Sequence, residues 1–163
     1  LVLSTLHTND APSSVTRLLD LGVEPFLVAS SVNASIAQRL VRKVCPDCKK
    51  TVELDVQRAK SEGWLDDELE YIRQNGGSHK IPIRCGCPSC FETGFIGRTG
   101  IYEFLLMSDS VRDLVNRRAS AGEIKKAAIE RGMKTLRRDG LRKVVEGITT
   151  LEEVRGVTQM DLE

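Results

Sequence analysis

Val44-Cys45-Pro46-Asp47-Cys48 and, farther along, Cys87-Pro88-Ser89-Cys90 repeat one pattern: two cysteines two residues apart, with a proline after the first. A two-residue gap lets both sulfurs of one turn face the same ion, and the proline stiffens that turn. Two such knuckles supply the four thiolates that zinc takes tetrahedrally, so the pair predicts one structural zinc held by Cys45, Cys48, Cys87 and Cys90. Two disulfides, or unliganded core thiols, are the other arrangements these cysteines allow. Thirty-eight residues separate the knuckles, more than the roughly 15–20 of a simple zinc ribbon. A helix or small subdomain is therefore expected inside the zinc loop. The fifth cysteine, Cys85, reads as a plain reduced thiol beside the site, although its place in Cys85-Gly86-Cys87 would let it exchange in as a ligand.

Around the knuckles lies an ordinary globular composition. The 163 residues are 40% hydrophobic and 29% charged, enough for one cored domain or a core plus a zinc-stabilised annex. No apolar run approaches the roughly 20 residues of a membrane-spanning helix, and reduced, metal-poised cysteines favour a cytosolic setting. The chain opens on Leu1-Val2-Leu3-Ser4-Thr5-Leu6, an apolar, β-branched run that reads as a buried strand already under way, as in an excised piece of a longer domain. His7-Thr8-Asn9-Asp10 then forms a polar turn at that strand's carboxyl end, where open α/β sheets place ligand-contacting groups.

The spacing of Val15, Leu18 and Leu19 predicts a helix over Ser13–Leu21 stopped by Gly22, and a second helix starts near Pro25 with Phe26, Leu27 and Val28 as core. Residues 34–44 fit either helix or strand, because Ile36, Leu40 and Val44 satisfy both periods, with strand preferred. Residues 51–75 carry seven acids against three bases and hold the apolar stripe Val56, Ala59, Leu65, Leu69, Ile72, which predicts one or two short helices broken at Gly63 and leaving through an exit turn at Asn75–Ser78. The glycine-punctuated stretch Gly94–Gly100 reads as a loop before a strand over Ile101–Leu106. From Asp109 onward about four short helices are expected, with capping boxes at Ser120–Glu123 and Thr150–Glu153. Residues 111–145 hold eleven bases and four acids, whereas residues 146–163 hold one base and five acids. These bases are spread over several helices with no interleaved aromatics, so they read as a solvated or subunit-facing surface and not as a nucleic-acid site.

Taken in order, STLHTNDAPSSVTRLLDLGVEPF, AQRLVRKVCPDC, CPSC, GFIGRTGIYEFL and TLRRDGLRKVVEGITTLEEV resemble the motor ATPases of type II secretion and type IV pilus assembly, the GspE/PilB family. The resemblance covers nearly the whole chain. The cysteine pairs sit where the assembly and secretion members carry a zinc subdomain, which the pilus-retraction relatives lack. It implies an α/β fold, the C-terminal part of a RecA-like P-loop ATPase domain. Residues 1–44 would belong to the ATPase core, 45–93 to an inserted tetracysteine zinc subdomain, and 94–163 to a closing strand and a C-terminal helical bundle.

The same resemblance implies site residues. His7 would be the histidine-box residue near the γ-phosphate and Thr8 its hydroxyl neighbour, a pair able to hydrogen-bond phosphate or position the attacking water. Arg17 and Arg98 match arginines that lie toward the nucleotide or the subunit junction, and Arg39 is a weaker match. Each of these is otherwise a turn residue or a surface ion-pair partner. No GxxxxGK[ST] loop occurs in the chain, so the phosphate cradle and Mg²⁺ hydroxyl of a P-loop are missing from it. The expectation is a chain inactive by itself, within a parent that uses ATP and Mg²⁺. That parent would work as a cytoplasmic hexamer at the bacterial inner membrane, pushing on a membrane platform and the cytoplasmic components of a secretion or pilus machine. The competing readings are a zinc-stabilised protein-interaction module and a zinc-ribbon nucleic-acid-binding protein.

Overall fold

A computed structural model describes residues 1–61, 63–75 and 80–158 of the chain. Its helices are α1 (Ala11–Asp20), α2 (Pro25–Ser31), α3 (Val56–Ser61), α4 (Asp66–Asn75), α5 (Asp109–Asn116), α6 (Ala121–Glu130), α7 (Leu136–Val145) and α8 (Leu151–Val157). The strands are β1 (Ala34–Val44), β2 (Lys50–Glu53), β3 (Lys80–Ile83) and β4 (Phe95–Leu106), with β1 beside β4 and β2 antiparallel to β3. The architecture is mixed α/β. It divides into two compact units, the first made of residues 1–38 and 102–136, the second of 39–101 and 137–163.

In the first unit, three helices each bury a pair of residues four apart: Val15 and Leu19 of α1, Val111 and Val115 of α5, Ile124 and Ala128 of α6. That spacing stacks two side chains on one helical face, and α1 packs on α6, α5 on α6 and α2 on α5. Fully burying each such Val, Leu or Ile contributes about 1.5–3 kcal/mol. The helix expected over Ser13–Leu21 forms as α1, and Gly22 follows it at φ +87°, in the left-handed conformation that ends helices. The strand expected over Leu1–Leu6 does not form. Residues 1–8 have no regular structure and Leu1, Val2 and Leu3 are exposed, because a strand needs a neighbour to complete its hydrogen bonds and none lies beside it among the described residues. Phe26 and Leu27, expected in the core, are 70% and 51% exposed, and α2 instead buries Val28 and Ala29.

In the second unit, a core is shared between the α3–α4 region and the C-terminal helices. Ala59, Trp64, Leu69 and Ile72 from the α3–α4 region pack with Leu141 and Val144 of α7 and Leu151 and Val154 of α8. Gly140 lets α7 and α8 approach closely, since a Cβ there would run into the side chain of Val154. Two helices form between the knuckles as the stripe predicted, while the β2–β3 pair goes beyond the expectation. The exit turn expected at 75–78 falls largely outside the described residues.

Residues 34–44 are strand, and among the described residues four helices run from Asp109 onward, as expected. The Gly94–Gly100 stretch is not a loop: β4 begins at Phe95 and runs through it, with Gly97 at φ +68°. Along β4, Ile101, Glu103 and Leu105 point inward while Tyr102, Phe104 and Leu106 are exposed. The capping box at Ser120–Glu123 is complete. At Thr150 only half of one forms: Thr150 accepts from the Glu153 N–H, while the Glu153 carboxylate turns to Arg42.

Candidate metal centre

The chain delivers its first knuckle straight off β1. Val44 and Cys45 are buried, residues 46–48 turn back, and the Lys49 N–H donates to the Cys45 carbonyl at 3.0 Å, closing a turn that holds Cys45 and Cys48 together. The second knuckle is a 3-10 turn over Pro88–Cys90, closed by the Cys90 N–H on the Cys87 carbonyl at 3.1 Å. After it, Phe91 and Glu92 both take positive φ (53° and 61°), an uncommon conformation for residues with a Cβ, and swing the chain around the cysteines.

Gly94 completes this loop. At φ +75°, a Cβ on it would collide with the Cys85 carbonyl and the Arg84 side chain, so only glycine fits. Its N–H points at Cys90 Sγ (3.2 Å) and its carbonyl accepts from the Cys45 N–H (2.9 Å), linking the two knuckles through one residue.

The four sulfurs lie within 4.8 Å of one another. Cys45 to Cys87 is 3.8 Å, Cys48 to Cys90 is 3.9 Å and Cys87 to Cys90 is 3.6 Å. Tetrahedral thiolates about 2.3 Å from a central ion stand about 3.8 Å apart, so this donor set fits a bound metal ion. The alternative of two disulfides fails, since all five cysteines are free and bonded sulfurs sit about 2.05 Å apart.

Electrostatics favour the same reading. Burial pushes the Cys48 thiol well up, and hydrogen bonds to Cys87 and Cys45 add to it. At Cys90, burial is outweighed by N–H donation from Gly94 and Cys87, which lowers the thiol to about 7. Four crowded thiols cannot all ionise without a cation among them. The N–H groups aimed at Cys90 are outer hydrogen bonds of the kind that would orient a sulfur toward a metal ion. Cys85 lies outside the group of four.

His7 is exposed in the segment before α1, and the Thr8 hydroxyl donates to the Asp10 carbonyl at 3.1 Å. Asp10 caps α1 by accepting the Ser13 N–H at 2.9 Å. Arg17 is exposed on α1, Arg98 is exposed on β4, and Arg39 lies on β1. His7, Thr8 and Arg17 belong to the first unit, Arg39 and Arg98 to the second.

The profile of the family described as "Type II/IV secretion system protein" matches residues 1–156. The chain belongs to that family. Within this secretion-system family it is 48% identical, over 99% of its length, to the type IV pilus assembly ATPase PilB of Myxococcus xanthus. It is 44% identical over 98% of its length to the type II secretion system ATPase E of Vibrio cholerae, and 42% identical over 98% to the type II secretion system protein HxcR of Pseudomonas aeruginosa. The chain spans 27%, 30% and 28% of those three relatives. No described helix is long and apolar enough to cross a membrane.

Sequence reasoning missed two buried charged features of this family member. Glu103 is 1% exposed and accepts the Ala11 N–H at 2.9 Å and the Leu136 N–H at 3.3 Å. Arg137 is 1% exposed, pairs with the buried Glu68 through two nitrogens, donates to the Gly63 carbonyl at 2.8 Å and lies 4.1 Å over the Trp64 ring. Both had a signal. Glu103 shares the inward parity of Ile101 and Leu105, and Arg137 sits four and seven residues before Leu141 and Val144 on the apolar face of α7.

Proposed function

We propose that the chain is the zinc-bearing, C-terminal part of the ATPase domain of a motor that powers type II secretion or type IV pilus assembly. The observation that carries this is its identity, over nearly its whole length, to proteins named as those ATPases, together with four sulfurs spaced for one tetrahedral ion. Zinc suits the donor set because it is borderline-soft and takes four thiolates without an open position. The ion's role is structural: with every position filled by protein, no water can be activated on it. Cys45, Cys48, Cys87 and Cys90 would hold it and so pin β1 to the start of β4.

The larger domain is RecA-like, with residues 45–93 as an inserted subdomain. The apolar outer residues Tyr102, Phe104 and Leu106 of β4 support this, since a contiguous exposed apolar face is one that the rest of a larger domain would cover. The intact motor is a cytoplasmic, hexameric, Mg²⁺- and ATP-dependent enzyme acting on an inner-membrane platform. In it His7 and Thr8 meet the γ-phosphate side of the nucleotide, while Arg17 and Arg98 face nucleotide or a subunit junction. The chain alone does not hydrolyse ATP, because its sequence contains no phosphate-cradling P-loop.

Steady-state kinetics of the intact protein test the reading. His7→Ala is expected to lower kcat by about 10²–10³, as loss of one transition-state hydrogen bond does, with little change in nucleotide affinity. Full turnover in that variant, or steady hydrolysis by the 163-residue chain after rigorous purification, would reject it.

A further inference from the structure

The His7–Asp10 segment leads directly into α1, and the first N–H of that helix is held by a carboxylate from far along the chain. A helix begins with four backbone N–H groups that lack intrahelical partners. Asp10 takes one of them, that of Ser13. Glu103, ninety-two residues away on β4, takes that of Ala11 at 2.9 Å. The other oxygen of the same carboxylate accepts the N–H of Leu136, the first residue of α7, at 3.3 Å.

An isolated carboxylate is costly to bury, and Glu103 is almost wholly buried. Burial raises its pKa; the Ala11 N–H and the charge of Lys125 oppose the rise, Asp10 adds to it, and the Leu136 N–H opposes it again. A group kept there against that cost, between Ile101 and Leu105 on the inward face of a strand, fixes the backbone it holds. Ala11 is four residues from His7.

We propose that Glu103 is a positioning residue for the histidine-box turn. By anchoring the first peptide of α1 to β4, it sets the direction in which His7 and Thr8 leave the helix. The proposal rests on the reading of His7 as the phosphate-side residue. Glu103 itself touches no nucleotide, and its effect on turnover runs through His7. Its two oxygens are both needed. Gln at this position keeps the shape but offers one acceptor, and its NH₂ would face the other backbone N–H.

The test uses the intact protein that carries this chain, with two readouts. Amide exchange of the segment spanning His7 to Ser14 reports the anchor directly, and ATP turnover reports its consequence. Glu103→Gln is expected to speed exchange at Ala11 and to lower kcat about tenfold, the size of one lost charge-assisted hydrogen bond, with KM changed less than twofold. The double variant with His7→Ala is expected to be no slower than His7→Ala alone, because two residues acting through one contact are not additive. Where the Gln variant does not fold, Glu103→Asp keeps the charge but retracts it by one methylene, with the same expected directions. Unchanged exchange overturns the anchor. Faster exchange with normal kcat, or losses that multiply in the double variant, overturns the positioning role while leaving His7 in place. A His7→Ala protein with normal turnover removes the reading of His7, and this proposal falls with it.

Discussion

Arg137→Met should destabilise the second unit far more than the same change at its neighbour Arg138. Arg137 and Glu68 have side chains 1% and 5% exposed, and removing one member of a buried pair costs about 3–5 kcal/mol because the other charge is left uncompensated. Glu68 retains one partner, the Leu65 N–H at 2.8 Å, which places the expected loss at the lower end, about 3 kcal/mol. Arg138 stacks at 3.9 Å on Tyr71, a contact worth about 0.5–1 kcal/mol at an accessible site. At about 2–4 °C per kcal/mol for a chain of this size, the Arg137 variant should melt about 6–12 °C lower. Trp64, the single tryptophan, lies under the Arg137 guanidinium and reports the transition by fluorescence. Replacing both partners, Arg137→Met with Glu68→Leu, should recover most of the loss. Equal melting of the Arg137→Met and Arg138→Met proteins would show that the buried Arg137–Glu68 pair does not hold this core.

Gly140→Ala should destabilise although alanine is the better helix former by about 1 kcal/mol. The added methyl meets Val154, and overpacking costs about 1–3 kcal/mol, so a net loss in urea denaturation is expected and a gain would show that α8 yields freely. Acid should weaken the Arg42–Glu153 link, in which Arg42 Nε and an NH₂ nitrogen donate to the two carboxylate oxygens at 3.0 and 2.5 Å. Hydrogen bonding from Arg42 holds the Glu153 carboxyl below its ordinary range. Its stabilisation is therefore full above the unfolded value of about 4.3 and is lost as pH falls through the lower folded value. In Glu153→Gln, melting temperature should fall less steeply below about pH 4.3 than in the parent; identical slopes would assign the acid limb to other groups.

Most of what the sequence made legible rests on short-range rules. The knuckles, the strand over 34–44, the four helices after Asp109 and the Ser120 capping box follow from spacing, periodicity or cap chemistry within a few residues. What failed depended on partners distant in the chain. Leu1–Leu6 has strand composition but nothing alongside to pair with, and Phe26 and Leu27 are apolar without being covered. The β2–β3 pair joins four-residue segments on either side of α3 and α4, too short for alternation to declare them. Arg137 and Glu103 were hidden by a general expectation that charge faces water, although both stand on inward-facing positions. His7, Thr8, Arg17 and Arg98 entered through family resemblance, since no local pattern distinguishes an exposed histidine or arginine with a role from one without.

The proposed zinc site is tested most directly by metal content measured together with thiol reactivity on protein purified without chelators. One zinc per chain is expected, bound by Cys45, Cys48, Cys87 and Cys90, with Cys85, the cysteine outside the cluster, the one thiol that reacts before the metal is removed and all five reacting afterwards. Absence of zinc, or five thiols reacting alike from the start, would contradict it.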